Sequence, residues 1–225
     1  MKPKLKLGVV GCLCLSFVGA FAQVSRSGAG YLFRYQYEKG KSYKYAMESV
    51  AKNPSIKMNV GLKFKVTVLK VGKNTSKLKY DIDSMTQNGK PIGRSQTAEV
   101  DIDRRGNVIG DSGTIQQLGN VAYPKEAIAI GKSWTRNVNS AAMGFKMNLK
   151  GTYKFSGFKT LRGKRYAVLD VKMKNTGDFS VDGGGTMLVD AADGMVYNYQ
   201  MTMTVSMKTS QQSVKLDNIV NIKRL

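Results

Sequence analysis

The stretch Met195 to Lys208, MVYNYQMTMTVSMK, limits the chain's fold more than any other. Met195, Tyr197, Tyr199, Met201, Met203, Val205 and Met207 hold every second position, and between them stand mostly Asn, Gln, Thr, Ser and Lys. A helix would scatter these apolar residues around its whole circumference, whereas a strand gathers them on one face. Val214, Leu216, Val220 and Ile222 continue the alternation, and Thr209 to Gln212 can turn the chain between the two runs, which predicts a long hairpin. The same pattern recurs upstream. Tyr31 to Glu38 and Tyr43 to Met47 alternate. So do Met58, Val60, Leu62, Phe64, Val66 and Val68, then Leu78, Tyr80 and Ile82, and a strand is expected through Ala98 to Ile102.

The first 22 residues stand apart. Lys2, Lys4 and Lys6 precede an apolar run from Leu7 to Phe21, and Ala20-Phe21-Ala22 is a small-x-small cleavage site. This is the pattern of a secretory signal peptide cleaved after Ala22, implying a secreted or periplasmic protein. A lipobox at Val9-Val10-Gly11-Cys12 would leave only five apolar residues before the cysteine, so cleavage after Ala22 is preferred. Cys12 and Cys14 both lie in this segment, so residues 23–225 hold no disulfide, thiolate metal site or cysteine nucleophile. There is no histidine, which removes the commonest general base and zinc ligand. After Ala22, 33 basic residues face 15 acidic ones, a formal charge of +18 that attracts polyanions and anionic surfaces.

Residues 23–225 read as a single β domain made of two related halves, 31–110 and 131–225, joined by a linker at 111–130 in which Lys125 to Ile130 could form one helical turn. Met58-Asn59-Val60 matches Met147-Asn148-Leu149, and Phe64-Lys65-Val66-Thr67 matches Tyr153-Lys154-Phe155-Ser156. Upstream, Gly40-Lys41-Ser42-Tyr43 matches Gly131-Lys132-Ser133-Trp134. Downstream, Gly106-Asn107-Val108 matches Gly194-Met195-Val196. The order of these anchors points to internal duplication. The expected fold is all-β, with long antiparallel strands in a half-open barrel or two curved sheets; a closed barrel and a sandwich stay open. Strands this long suit a strongly curved sheet better than a compact sandwich.

Three features together resemble an uncharacterised family of secreted bacterial envelope β-proteins. They are the Gly-Lys-Ser-aromatic segment after a proline-containing linker, the Asp-x-x-x-Gly-x-Val turn of Asp190 to Val196 (one residue longer from Asp101), and the signal peptide. The long strands also resemble the half-barrel of lipoprotein carriers, although no lid helix is evident. That resemblance implies a concave apolar face able to hold an acyl chain.

Motifs for chemistry are sparse. Gly40-Lys41-Ser42 and Gly131-Lys132-Ser133 end like a phosphate loop, but Tyr35 and Glu126 stand where its first glycine belongs. Asp101-Ile102-Asp103 with Gly106 starts like a calcium loop and lacks the remaining ligands, while Asp190 and Asp193-Gly194 fit a hairpin turn. The pairs Asp81/Asp83 and Asp101/Asp103 read as solvated strand faces. No catalytic residue, cofactor or metal is expected.

Two faces remain. Met58, Met147, Tyr197, Tyr199, Met201 and Met203 lie on apolar faces, and methionine lines adaptable pockets as well as cores. Lys63, Lys65, Lys146, Lys150 and Lys154 lie on polar faces, where they either block edge association or meet an anionic surface. The expectation is a non-enzymatic binding protein with lipid in the apolar concavity. The alternative is a structural or interaction protein with a filled core and a basic surface for an anionic envelope polymer. Peripheral membrane contact is compatible with either. Nucleic acid is not expected, because the aromatics sit opposite the lysines.

Overall fold

The computed structural model describes residues 24–55, 57–110, 121–142, 145–175, 179–208 and 213–225. Residues 1–22, expected as a signal peptide, and the turn expected at Thr209 to Gln212 therefore lie outside the described residues. All helical or strand structure among the described residues is β. A small hairpin pairs β1 (Val24–Ser27) with β2 (Gly30–Phe33). One large antiparallel sheet takes the rest: β3 (Ser42–Lys52), β4 (Lys57–Val71), β5 (Thr75–Gln87), β6 (Lys90–Pro91), β7 (Gln96–Asp103), β8 (Val108–Ile109), β9 (Ser133–Ala142), β10 (Phe145–Leu161), β11 (Lys164–Asn175), β12 (Phe179–Asp190), β13 (Val196–Lys208) and β14 (Ser213–Arg224). Its order is β8-β7-β5-β4-β3-β14-β13-β12-β11-β10-β9, with β6 on β5. Each half is thus a meander, and the two join where β14 pairs with β3.

The repeat is written into the ladders. Tyr45 pairs with Phe64, Val66 with Tyr80 and Leu78 with Val100; exactly as many residues later in each case, Trp134 pairs with Tyr153, Phe155 with Leu169 and Ala167 with Val189. Both first strands are entered through the same pair of bonds. Gly40 N–H donates to Val68 O and Val68 N–H to Lys41 O. Gly131 N–H donates to Phe155 O and Phe155 N–H to Lys132 O. The second entry comes two residues sooner along its partner strand.

The sheet bends round on itself without closing. Tyr123 N–H donates to Arg105 O in the β7–β8 turn, while Trp134 Nε1 on β9 donates to Ala122 O. Opposite ends of the strand order therefore reach one short segment. The apolar faces of β3 to β5, β7 and β9 to β14 meet inside this curve in a single core.

Two segments differ from expectation. Arg34 to Glu38, expected to continue a strand, does not pair as one, because its backbone bonds turns instead: Tyr35 N–H donates to Arg104 O and Gln36 N–H to Asp193 O. Of the connecting stretch 111–130, residues 121–130 are described. Val121 and Tyr123 are fully buried, Ile128 bridges Tyr31, and Lys125 to Ile130 forms no helical turn.

Candidate functional site

The concave face has two dissimilar ends. At one, the chain's own connecting segments plug it. Phe33, Tyr35 and Tyr123 are buried completely and Tyr37 nearly so. Tyr35 stacks on Tyr37 at 5.4 Å, and Phe33 packs edge-on against Phe155 at 5.1 Å. The phenols are tied down where they can be. Tyr35 Oη accepts from Val121 N–H at 2.6 Å, and Tyr123 Oη donates to Gly194 O at 2.6 Å. Burial raises the Tyr35, Tyr37 and Tyr123 phenols far above their usual range, so they stay protonated near neutral pH. The plug needs glycine at two turns. Gly106 and Gly194 have φ of +88° and +73°, and a Cβ would strike Val121 O at the first and Arg34 O at the second.

The two turns correspond in position, the second being one residue longer, and are opposite in electrostatics. Asp103 accepts from Arg105 N–H, Asn107 N–H and Asn107 Nδ2. Burial pushes its carboxyl up, but these bonds and Arg105 outweigh it and hold the group below its usual value. In the second half, Arg224 from the last strand bonds Asp190 and lies 3.1 Å from Asp193. Here burial wins, and the Asp193 carboxyl is raised despite Arg224. The guanidinium occupies the position a cation would need between these carboxylates, and it stays charged because both surround it.

Toward the other end of the strands the inward residues lose their cover. On β4, Val68, Val66, Phe64 and Leu62 are buried, whereas Val60 and Met58 are half-buried. On β5, Ile82 is buried and Met85 half-buried. On β13, Tyr199 and Met201 are buried, while Met203 and Val205 are half-buried. Met47, Met85, Met203 and Val220 touch the core from this side. Tyr199 Oη donates to Met201 Sδ at 2.7 Å, and Gln87 Nε2 to Met58 Sδ at 3.1 Å. Opposite Met203 and Met201 stand Gly183 and Gly185, where a Cβ would strike Met203 Cβ at the first and Gln200 O at the second, so glycine lets the two strands approach closely.

The expected apolar residues are therefore only partly gathered. Tyr199, Met201, Met203 and Met58 share the concave face. Met147 and Lys146 lie outside the residues whose side chains are described. Tyr197 is turned away, because Leu188 pairs with Asn198 while Val189 pairs with Val196, a bulge that leaves Tyr197 against Tyr166 at 4.5 Å. The plug residues were missed, although the aromatic density of residues 31–37 was a usable signal.

The lysines lie on the outer face, on opposite flanks. Lys63 and Lys65 are on β4, Lys150 and Lys154 on β10, and β3, β14, β13, β12 and β11 separate the two pairs. At about 4.8 Å per strand that is roughly 29 Å along the sheet. Lys65 lies 3.6 Å from Asp81, which Lys79 and Thr97 also bind.

No family model matches the chain, and no curated protein matches it. A solved structure from Vibrio parahaemolyticus, provisionally described as an outer membrane lipoprotein-sorting protein domain, aligns over 83% of this chain and 86% of its own, with 10% sequence identity and a TM-score of 0.23.

Proposed function

We infer that the chain is a non-enzymatic secreted or periplasmic binding protein that takes an apolar ligand, an acyl chain or lipid, at the methionine end of its concave face. One observation carries this reading: inward residues of the same strands pass from buried beside the aromatic plug to half-buried at Met58, Met85 and Met203. Flexible thioether side chains adapt to an irregular chain. The plug would set how deep a ligand can enter. The second reading, an envelope interaction protein with a filled core and a basic surface, draws on the completeness of that plug.

Native mass spectrometry of the purified protein should find retained lipid. The delipidated protein should take up a dansyl-labelled fatty acid, and Met58→Asp with Met203→Asp should weaken uptake at least about tenfold, because each charge would sit in the apolar path. No uptake by the delipidated wild type, or equal uptake by the variant, sinks the lipid reading and favours the interaction protein.

A further inference from the structure

A groove on the outer face, behind the strands whose inner face carries Met47 and Met201, has no part in that reading. It consists of two clefts of about 570 and 680 Å³ that share Leu225. The first is lined by Lys41, Lys44, Lys164 and Arg165 around the Arg224 ion pairs. The second is lined by Asn198, Gln200 and Asn221, with Arg162, Lys223, Tyr197 and one carboxylate, Glu48.

Three features mark this groove. Its cations outnumber its free carboxylates: among the described residues Lys44, Arg162, Lys164 and Lys223 stand in no ion pair, Asp190 and Asp193 are already taken by Arg224, and Glu48 remains. Its wall includes neutral amides, which donate and accept at once and so match hydroxyl groups. Arg162 also holds a left-handed backbone at φ +50° in the turn Arg162-Gly163, whose other hairpin counterpart is the ordinary Asn88-Gly89. A long side chain there is disfavoured, and such strain is a pointer to function.

Cations beside amides suit a polymer that carries both hydroxyls and negative charge. We propose that this groove binds an acidic polysaccharide, with Lys44, Arg162, Lys164 and Lys223 meeting its anionic groups and the exposed Gln200 and half-buried Asn198 and Asn221 its hydroxyls. A flat anionic bilayer would use the charges and leave the half-buried amides of Asn198 and Asn221 idle.

The test compares an oligogalacturonide, a neutral dextran oligosaccharide of equal length and phosphatidylglycerol vesicles, each at low and physiological salt. The variant combines Arg162→Asn, Lys164→Gln and Lys223→Gln. Arg162→Asn restores the favoured turn residue, so an unchanged or higher melting temperature shows that the fold is intact. The control combines Lys63→Gln and Lys150→Gln. Wild type should bind the oligogalacturonide at least about tenfold more tightly than either dextran or the variant does, the control should stay within about twofold, and salt should weaken binding, as for partly exposed charges. Equal binding by wild type and variant, binding to vesicles but not to the oligogalacturonide, or no binding overturns the proposal. The fatty-acid measurement reads the opposite face, so each idea can fail alone.

Discussion

The two ends of the concave face are built from the same strands and differ in what covers them. At the plugged end Phe64, Val66, Leu78, Tyr80 and Phe155 meet aromatic side chains from segments 31–37 and 121–123. At the methionine end Val60, Met58 and Met85 are covered mainly along the sheet and remain half-buried. Alternation makes a face apolar over its whole length, but burial needs a second layer, and the described chain supplies that layer at one end only. Stability should therefore concentrate at the plug, and adaptability at the methionines.

The sharpest test of this contrast is truncation at each end. Phe155→Ala, which removes contacts to Tyr31, Phe33 and Phe158, should cost about 3–5 kcal/mol, while Met203→Ala should cost about 1 kcal/mol or less. Urea unfolding would measure both, and similar losses would mean that the methionine end is packed as firmly as the plug.

A smaller effect, with a distinctive pH dependence, is expected at the buried ion pairs beneath the plug. Arg224→Gln should cost about 3 kcal/mol near neutral pH, because it leaves Asp190 and Asp193 without their cation. Asp193 has a folded pKa raised by burial, with Arg224 as a partial offset. A carboxyl raised in this way contributes favourably below its unfolded value, and the contribution is lost as pH rises through the folded value. Removing the offset deepens that loss, so the variant's deficit should grow as pH rises from about 3 to 7. A deficit independent of pH would show that Arg224 acts by packing alone.

In the corresponding turn of the first half the carboxylate is itself stabilising, so the variant's deficit should likewise grow with pH, at lower amplitude. Asp103→Asn should cost about 1 kcal/mol near neutral pH, since Asp103 accepts three bonds within its turn. Its folded pKa is depressed, so its contribution is present above the unfolded value and lost as pH falls through the folded one. Wild type and Asp103→Asn should thus converge in melting temperature toward pH 2, and a gap that persists there would break the comparison of the two turns.

Much of this fold was legible in the sequence. Alternation in Met195 to Lys208 named the strand and the inward Tyr199, Met201 and Met203, because side-chain period is a local property of a chain. Faces failed where a ladder slips: the β12–β13 bulge sends Tyr197 to the outer side, and no local pattern marks it. The basic residues were visible as composition, but their grouping was not. Lys63 and Lys150 look equivalent in the repeat and lie on opposite flanks, whereas Lys44, Lys164 and Lys223, far apart in sequence, line one groove.

The sequence by itself determined an all-β chain of two related meanders, the residues that alternate inward, and a strong positive charge. The tertiary structure alone decided that residues 31–37 and 121–123 turn inward as a plug, that Arg224 closes on Asp190 and Asp193, and which lysines share a groove. Each of these depends on how far the sheet curves and which segments its curvature brings together. Curvature is a sum over many strands, and no single stretch of sequence encodes it.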